Sequence, residues 1–354
     1  MKQTGMCGFV TIAVFCVLFF TAGCTELSED AARTEVEHRK TATTESEVKR
    51  TTETKEQRPF VKLALRFTPE DSTTYRVVLE NDKSVQWEGG ESKPRGFQGG
   101  HTGNKMEMTF AQQIQSVDDQ GHATARITVK TLKYLSKIKD NVTLDFDSSR
   151  EKDRNSPLSK LIGQSYTIEI TPAGQVSKVS DTSAALAAVK GDSPANNVAV
   201  MLLSADAIRE QHTIPALPAT GKEQLRQGDN WSILKNVSFE MMGAKSYEKV
   251  YSLKEIKDVG NRRIAIAEME ALPSAENAKQ LHKEQTTDFF SQMSDNTQTY
   301  IGKLRLDLTE GKVEECNEKL LVEWFIVDPN PKPDELPAAL RMAATRLYSI
   351  EKID

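Results

Sequence analysis

The chain has 354 residues, of which 27% are charged and 38% are hydrophobic, so it is long enough for one large or two ordinary domains with a buried core. Its formal net charge is −5, and the sequence holds no long basic block. A nucleic-acid-binding surface needs clustered Lys and Arg, so this composition disfavours a nucleic-acid partner.

The N-terminal segment has the pattern of an export signal. Lys2 supplies a short positive region, and the apolar run FVTIAVFCVLFF follows at residues 9–20. The run is short for a permanent membrane-spanning helix, which favours a secretory signal peptide over residues 1–23. Two alternatives remain, an ordinary signal peptide without lipid attachment and an uncleaved anchor helix, and in both of them Cys24 has no role.

The segment TAGC ends this signal with two small residues, Ala22 and Gly23, before Cys24. It resembles the lipobox of bacterial lipoproteins, although Thr21 stands where that motif usually has leucine. The resemblance implies cleavage between Gly23 and Cys24, diacylglyceryl transfer to the Cys24 sulfur, and fatty acylation, as with palmitate, of the new amino group. Thr25 replaces the aspartate that signals inner-membrane retention, which favours the outer membrane. We therefore expect a lipid-anchored protein of the bacterial cell envelope.

Residues 24–59 are predicted to be the lipidated cysteine and a disordered tether. After Cys24 they contain no aromatic residue and are dominated by Thr, Glu, Lys and Arg. Such a segment cannot bury enough apolar surface to offset the entropy lost on ordering. Once the signal is removed and Cys24 is lipidated, Cys316 is the one remaining thiol, so we expect no internal disulfide and a buried Cys316 in a strand.

From Phe60 onwards the sequence alternates apolar and polar residues with the period of β-strands. FVKLALRF and KMEMTFAQQI both show this alternation, and glycine-containing turns separate the runs that follow. We predict a mainly β fold of the α+β class. Its antiparallel sheets would lie in two similar halves, as one continuous curved sheet, an open barrel or a sandwich, with a few packed helices.

The two halves repeat the same order of signals. Hairpins at Gly121 and Gly174 in the first half are separated by nearly the same distance as those at Gly260 and Gly311 in the second. Tyr75 and Trp231 open the corresponding first strands, each just after an acidic residue in DSTTY and GDNW. We infer an internal duplication, with a first β-rich repeat over 60–191 and a linking helix and second repeat over 192–354. Chance similarity among hairpins is the alternative.

The stretch EGGESKPRGFQGGHTGN, residues 88–104, is the most glycine-rich part of the chain. A phosphate-binding loop needs G-x-x-x-x-G-K-[ST] between a strand and a helix, and GGHTGNKM lacks both the spacing and the hydroxyl. From the opening aromatic residue to the first hairpin glycine, the first half (Tyr75 to Gly121) is 17 residues longer than the second (Trp231 to Gly260), which is the length of this stretch. We therefore predict an inserted flexible loop between two strands, carrying an exposed His101.

Helix is predicted over 181–191, 195–211 and 274–293 from capping residues and apolar spacing. VDPNPKPDELP, at 327–337, is typical of a stiff connector. The C-terminal segment from about Arg341 is compatible with either a helix or an edge strand.

Few residues suggest chemistry. His122, His212 and His282 show no metal-binding spacing, and the sequence contains no G-x-S-x-G motif. Asp145 and Asp147 share one face of a strand, with Asp153 nearby, but no calcium-loop pattern surrounds them. We predict no catalytic residue, no metal site and no cofactor.

The segments IGQSYTIEITPAGQVSKV and IGKLRLDLTEGKVEEC each combine a strand, a turn and a second strand. With the signal peptide, they resemble an uncharacterised class of bacterial lipoproteins with two related β-rich halves. We expect a non-enzymatic binding or scaffolding domain, with the membrane as a partner through its anchor and an envelope protein or apolar ligand as a further one. The alternative is a carrier that sequesters an apolar ligand such as a lipid acyl chain.

Overall fold

The computed structural model describes residues 58–88, 99–239, 243–274, 295–327 and 339–353. All of these residues belong to one compact unit. The predicted signal peptide, the cleavage site at Gly23 and Cys24, nearly all of the tether and all but the first residue of the helix predicted over 274–293 lie outside the described residues.

The described chain is mainly β, as the alternating sequence predicts. The strands are β1 Val61–Lys62, β2 Ser72–Glu88, β3 Gly100–Val117, β4 Ala123–Ile138, β5 Asn141–Asp147, β6 Ser165–Ile170, β7 Val176–Ser180, β8 Gln224–Leu225, β9 Asn230–Ser238, β10 Ala244–Val259, β11 Arg262–Pro273, β12 Asp295–Asp307, β13 Lys312–Val327 and β14 Ala339–Lys352. Short 3₁₀ turns occupy Glu151–Asp153 and Pro157–Leu161.

Twelve of these strands form one open antiparallel sheet in the order β7-β6-β4-β3-β2-β14-β13-β12-β11-β10-β9, with β5 paired to β4. Each half contributes a five-stranded meander: β2, β3, β4, β6 and β7 in one, and β9 to β13 in the other. The halves therefore share a strand order, while the duplication itself stays a prediction. β1 and β8 form a separate two-stranded sheet.

The large sheet is curled, as contacts across its inner face between strands far apart in its order show. Lys249 on β10 reaches Glu318 on β13, although two strands lie between them. Arg346 on β14 donates to the carbonyl oxygen of Ser238 at the end of β9, across four intervening strands. Side chains on the concave face are thus enclosed, and alternate residues of most strands are buried there.

The C-terminal segment is the strand β14, and it lies in the middle of the sheet. It pairs with β13 over Glu315–Val327 and with β2 over Tyr75–Glu88, so it joins the two halves. Its Arg-Met-Ala-Ala-Thr-Arg sequence contains good helix formers, but pairing on both sides outweighs that local preference.

The glycine-rich stretch is partly strand, so the prediction of a loop throughout 88–104 is wrong. The β2–β3 ladder extends to Val85 opposite Gly100, and residues 100–104 are all within β3. At Gly103 a Cβ atom would overlap the carbonyl oxygen of Asn81, so close backbone approach explains this glycine. His101 is exposed, as predicted, but on a strand. The rest of the stretch, 89–98, lies outside the described residues.

Three helices lie between β7 and β8: α1 Ser183–Ala188, α2 Pro194–Leu202 and α3 Ala205–His212. α1 was predicted from the sequence. The prediction of a single helix over 195–211 is wrong, because Leu203 and Ser204 interrupt the helix between α2 and α3. The Ser204 hydroxyl accepts a hydrogen bond from the Ala207 amide and caps α3. Among the described residues, no helix has the length and apolarity that a membrane crossing requires.

Candidate ligand cavity

The segment that follows α3 runs through the concave side of the sheet. His212, Ile214, Ala216 and Leu217 are all buried. The carbonyl oxygen of Ala216 accepts from the Trp231 indole at 3.0 Å. We call residues 212–217 the central segment. It divides the inner face into a first interior, against β3 and β6, and a second interior, against β9, β10, β12, β13 and β14.

The first interior is neutral around His212 and nearly filled. The His212 Nε2 lies 2.6 Å from the Tyr166 hydroxyl, and the edge of the imidazole meets Phe110 with ring centroids 4.4 Å apart. Burial lowers the pKa of His212 to about 3, so the ring is neutral near pH 7. A small hollow of about 30 Å³ adjoins it, and its lining also includes the charged residues Arg66, Asp71 and Lys312.

The second interior contains a buried ion pair. Lys249 Nζ lies 2.8 Å from Glu318 Oε1, and the two residues are only 2% and 6% exposed. The same ammonium group lies 3.3 Å from the carbonyl oxygen of Pro215 in the central segment. Side chains alternate between the two faces of β10 and β13, and Lys249 and Glu318 both occupy inward-facing positions. An isolated charge on this concave face would be costly.

Two tyrosines complete the coordination of this carboxylate. The Tyr251 hydroxyl donates to Glu318 Oε1 and the Tyr300 hydroxyl donates to Oε2 at 2.8 Å. Burial first, and the negative charge of Glu318 second, raise the pKa of both phenols above its usual value. Both tyrosines therefore remain protonated donors. Burial likewise raises the pKa of the neighbouring Cys316, so this fully buried residue is a neutral thiol, as expected from the sequence.

A cavity of about 150 Å³ lies beside the ion pair, between the sheet and the central segment. We call it the second-half cavity. Its charged lining residues are Glu210, Lys235, Lys249, Glu318 and Arg346. Its apolar lining residues include Leu79, Val237, Leu320 and Leu347.

Strand register orders these groups along the cavity. Lys235 pairs with Tyr247, two residues beyond Lys249 on β10. Arg346 pairs with Leu320, two residues beyond Glu318 on β13. Both cations therefore lie on the same side of the ion pair, away from the hairpins at Gly260 and Gly311. The ion pair forms a fixed floor, and Lys235 and Arg346 border the space above it.

The residues singled out for chemistry in the sequence do not meet here. Arg150 bonds Asp145 at 2.8 Å and Asp153 at 2.6 Å, so these carboxylates belong to a surface ion-pair cluster. His122 lies 3.3 Å from Asp118, in a hairpin turn. Across the described ranges, no group of three or more His, Cys, Asp or Glu residues is arranged to hold a metal ion.

Sequence reasoning missed Lys249 and Glu318, which form the buried ion pair of the second interior. A signal was present, because Lys249 stands between Tyr247 and Tyr251 at positions whose parity faces the core. A charge at such a position indicates a buried partner or a site. Its partner is 69 residues away in the chain, and no local pattern identifies it.

Comparison with known proteins shows no family for this chain. No protein-family model and no curated protein matches it. Among solved structures, DynF from the dynemicin biosynthesis pathway of Micromonospora chersina aligns over 88% of this chain and 94% of its own, at 6% identity and a TM-score of 0.18. Pseudomonas aeruginosa OpdQ aligns over 80% of this chain and 100% of its own, at 8% identity and a TM-score of 0.17. Similarity this low supports neither a fold assignment nor a function.

Proposed function

We propose that the protein is a bacterial lipoprotein, anchored to the outer membrane through Cys24, whose β body is a non-enzymatic binding module of the cell envelope. The ligand is a small molecule that occupies the second-half cavity. TAGC and the apolar run before it support the anchor, and the polar tether accounts for separation of the body from the lipid surface.

The observation that carries the binding function is the charged second interior. Replacing a buried ion pair by well-packed hydrophobic residues is often neutral or stabilising, so stability alone gives little reason to keep Lys249 and Glu318. The first interior illustrates this point, since the same sheet encloses the neutral His212 against Phe110 there, and the charges of Lys312 and Asp71 pair with each other at 2.8 Å where they are partly exposed. A polar floor beside open space is instead what a ligand site requires, with a few placed polar groups among apolar ones.

The cavity volume favours a small ligand over a long acyl chain. Sites for drug-sized ligands usually measure about 300–1,000 Å³, whereas a cavity of about 150 Å³ accommodates a molecule of benzene size. The second-half cavity is in the smaller class. Sequestration of a whole acyl chain, the alternative that the sequence left open, would need more room than this cavity has.

The binding function is tested by identifying what the protein carries. Full-length protein purified from its own membranes in mild detergent is denatured, and the released small molecules are analysed by mass spectrometry. The test variant is Leu79→Trp, in which a larger side chain at this half-buried position of β2 fills the cavity. An unchanged circular dichroism spectrum establishes that the variant is folded. We expect a small molecule in stoichiometric amount from the wild type and its loss from the variant. Release of the same molecules from both proteins, or of a long-chain lipid dependent on Leu79, would overturn the proposal.

The anchor has a separate test. Cys24→Ser should abolish incorporation of labelled palmitate and release the protein from membranes, with Cys316→Ser as the control that keeps labelling. Equal labelling of the Cys24→Ser protein would contradict the anchor without affecting the cavity.

A further inference from the structure

Three polar side chains of the second-half cavity have no partner within the described chain. Asn81 on β2, Glu210 in α3 and Lys235 on the edge strand β9 all line the cavity. In the ranges that the structure describes, none of these side chains takes part in a hydrogen bond or an ion pair. The floor differs, because Lys249 and Glu318 bond each other at 2.8 Å. The three side chains therefore keep their hydrogen-bonding capacity for solvent or for a ligand.

Lys235 and Glu210 carry opposite charges but do not pair with each other. Partial withdrawal from water, and next Lys249, lower the pKa of Lys235, whereas Glu210 acts in the opposite direction. The Glu210 carboxylate is therefore within electrostatic reach of the Lys235 ammonium group, although no salt bridge joins these two described residues. Because both side chains line one cavity, the space between them is available to a ligand that contacts both.

Separate elements of the fold set the positions of these two charges. Lys235 lies on the concave face of β9, because it shares the alternation of the buried Trp231 and Val237. Glu210 belongs to α3, two residues before the buried His212 that begins the central segment. A cation and an anion thus border the same space without either one being needed to hold the other in place.

Asn81 adds a neutral group that both donates and accepts hydrogen bonds. It is two residues from Leu79 on β2, and both residues line the cavity. Its amide nitrogen can donate to a carboxylate, and its amide oxygen can accept from an ammonium group. Arg346 also borders the cavity, but its guanidinium donates to the carbonyl oxygen of Ser238, and we assign it no role in recognition.

We propose that the second-half cavity binds a small free α-amino acid with an aliphatic side chain. This inference rests on the proposed binding function. Glu210 contacts the ammonium group of the ligand, Lys235 contacts its carboxylate, and Asn81 hydrogen-bonds to either group. A zwitterion satisfies both unpaired charges and adds no net charge, so its recognition does not depend on the balance of the other charged groups in the lining.

The exposure of the lining residues agrees with this orientation of the ligand. Lys235 and Glu210 are exposed although they line the cavity, so they lie at its mouth, whereas Val237 and Leu320 are buried. The charged groups of the amino acid therefore stay near solvent, which limits the cost of removing them from water. Its aliphatic side chain enters the cavity of about 150 Å³, which accommodates a group of up to benzene size.

The probes are L-valine and two compounds that each lack one of its charged groups. Isovalerate lacks the ammonium group, and isobutylamine lacks the carboxylate. Each compound is titrated into the full chain in detergent by isothermal calorimetry, with a matched detergent blank. We expect saturable binding of valine and roughly tenfold weaker binding of each truncated compound, because each leaves one charge of the protein unmatched.

Two variants assign the contacts. Glu210→Gln and Lys235→Met each remove one charge and keep most of the side chain. Both positions are exposed, so the variants should fold, and their thermal midpoints confirm this. We expect the affinity for valine to fall roughly tenfold in each variant. Isovalerate should bind Glu210→Gln at least as tightly as the wild type, and isobutylamine should do the same with Lys235→Met, since in each case the lost charge had no partner on the probe.

The matched controls are Glu268→Gln and Lys254→Met, because both residues are exposed on the convex face of the sheet. We expect both controls to bind valine with wild-type affinity. Loss of valine binding in the controls as well as in the cavity variants would place the ligand elsewhere and overturn the inference.

The outcomes separate this inference from the function on which it rests. If isovalerate or isobutylamine binds the wild type at least as tightly as valine, or if either cavity variant binds valine normally, the amino-acid inference is wrong while a binding cavity remains. The same holds if no probe binds but a small molecule is released from the native protein. If no probe binds and nothing is released, both are wrong.

Discussion

The two interiors of this sheet are enclosed by meanders of the same strand order, yet they are filled in opposite ways. Around His212 the first interior is neutral, aromatic and nearly solid. Around Glu318 the second interior contains a buried ion pair, two tyrosine hydroxyls and a cavity of about 150 Å³. The central segment contributes to both. The architecture therefore does not dictate the charges, and the second interior needs an explanation other than packing.

The difference separates residues that stabilise the fold from residues that we assign to binding. A filled apolar interior gains from area removed from water and from close packing. A buried ion pair contributes little net stability and becomes costly when either partner is lost. We therefore expect the first interior to respond to pH through one group and the second to respond to the loss of a partner.

The largest effect is expected for Glu318→Gln. This change leaves the charge of Lys249 buried beside neutral acceptors such as the Pro215 carbonyl, without a counter-charge. It should lower the free energy of unfolding by about 3–5 kcal/mol. Urea denaturation measures the loss. The double variant Lys249→Met/Glu318→Gln should recover most of it, because neither charge is then left alone. A loss below about 1 kcal/mol in the single variant would show that the pair is not buried as described.

An intermediate effect is expected at acidic pH through His212. The folded protein holds its pKa at about 3, against an ordinary value of 6.5, so the unfolded chain binds more protons between those values. Stability contributed by the neutral ring is complete above pH 6.5 and is lost as the pH falls towards 3. Urea midpoints for His212→Gln should therefore show a shallower decline, by up to about 1.4 kcal/mol per pH unit, most clearly between pH 6.5 and 4.5. Parallel pH profiles for both proteins would contradict a buried neutral histidine.

The smallest effect concerns the attachment of the central segment. Trp231→Phe removes the indole donor to the Ala216 carbonyl but keeps a ring stacked near Tyr251. Loss of one hydrogen bond should cost about 1 kcal/mol of unfolding free energy, as judged by chemical denaturation. If the variant is as stable as the wild type, the indole does not hold the central segment.

Much of the fold could be predicted from the sequence because strand alternation and turn glycines are local signals. Residues such as Met106, Met108 and Phe110 alternate with polar neighbours, and their burial on one face follows. β14 could not be assigned, since its alanines and arginines suit a helix and only pairing with β2 and β13 makes it a strand. The break between α2 and α3 was missed because the Ser204 cap lies inside a helix-like apolar pattern.

The cavity was beyond prediction from the sequence for a different reason. Alternation identifies which face a side chain occupies, but not which residues meet across a curled sheet. Lys249 and Glu318 are neighbours because β10 and β13 face one another over two intervening strands, a long-range property of the fold.

The central claim, that the second interior is a ligand site and the first is a closed core, is tested most directly by NMR of ring-¹³C-labelled tyrosine in the full chain. Tyr300 lines the cavity and Tyr166 bonds His212, so each reports on one interior, and Tyr→Phe variants assign their signals. With saturating benzene, a probe of the size that the cavity accommodates, we predict a saturable shift of the Tyr300 signal and a stationary Tyr166 signal. Equal shifts of both signals, or movement of neither, would contradict the account.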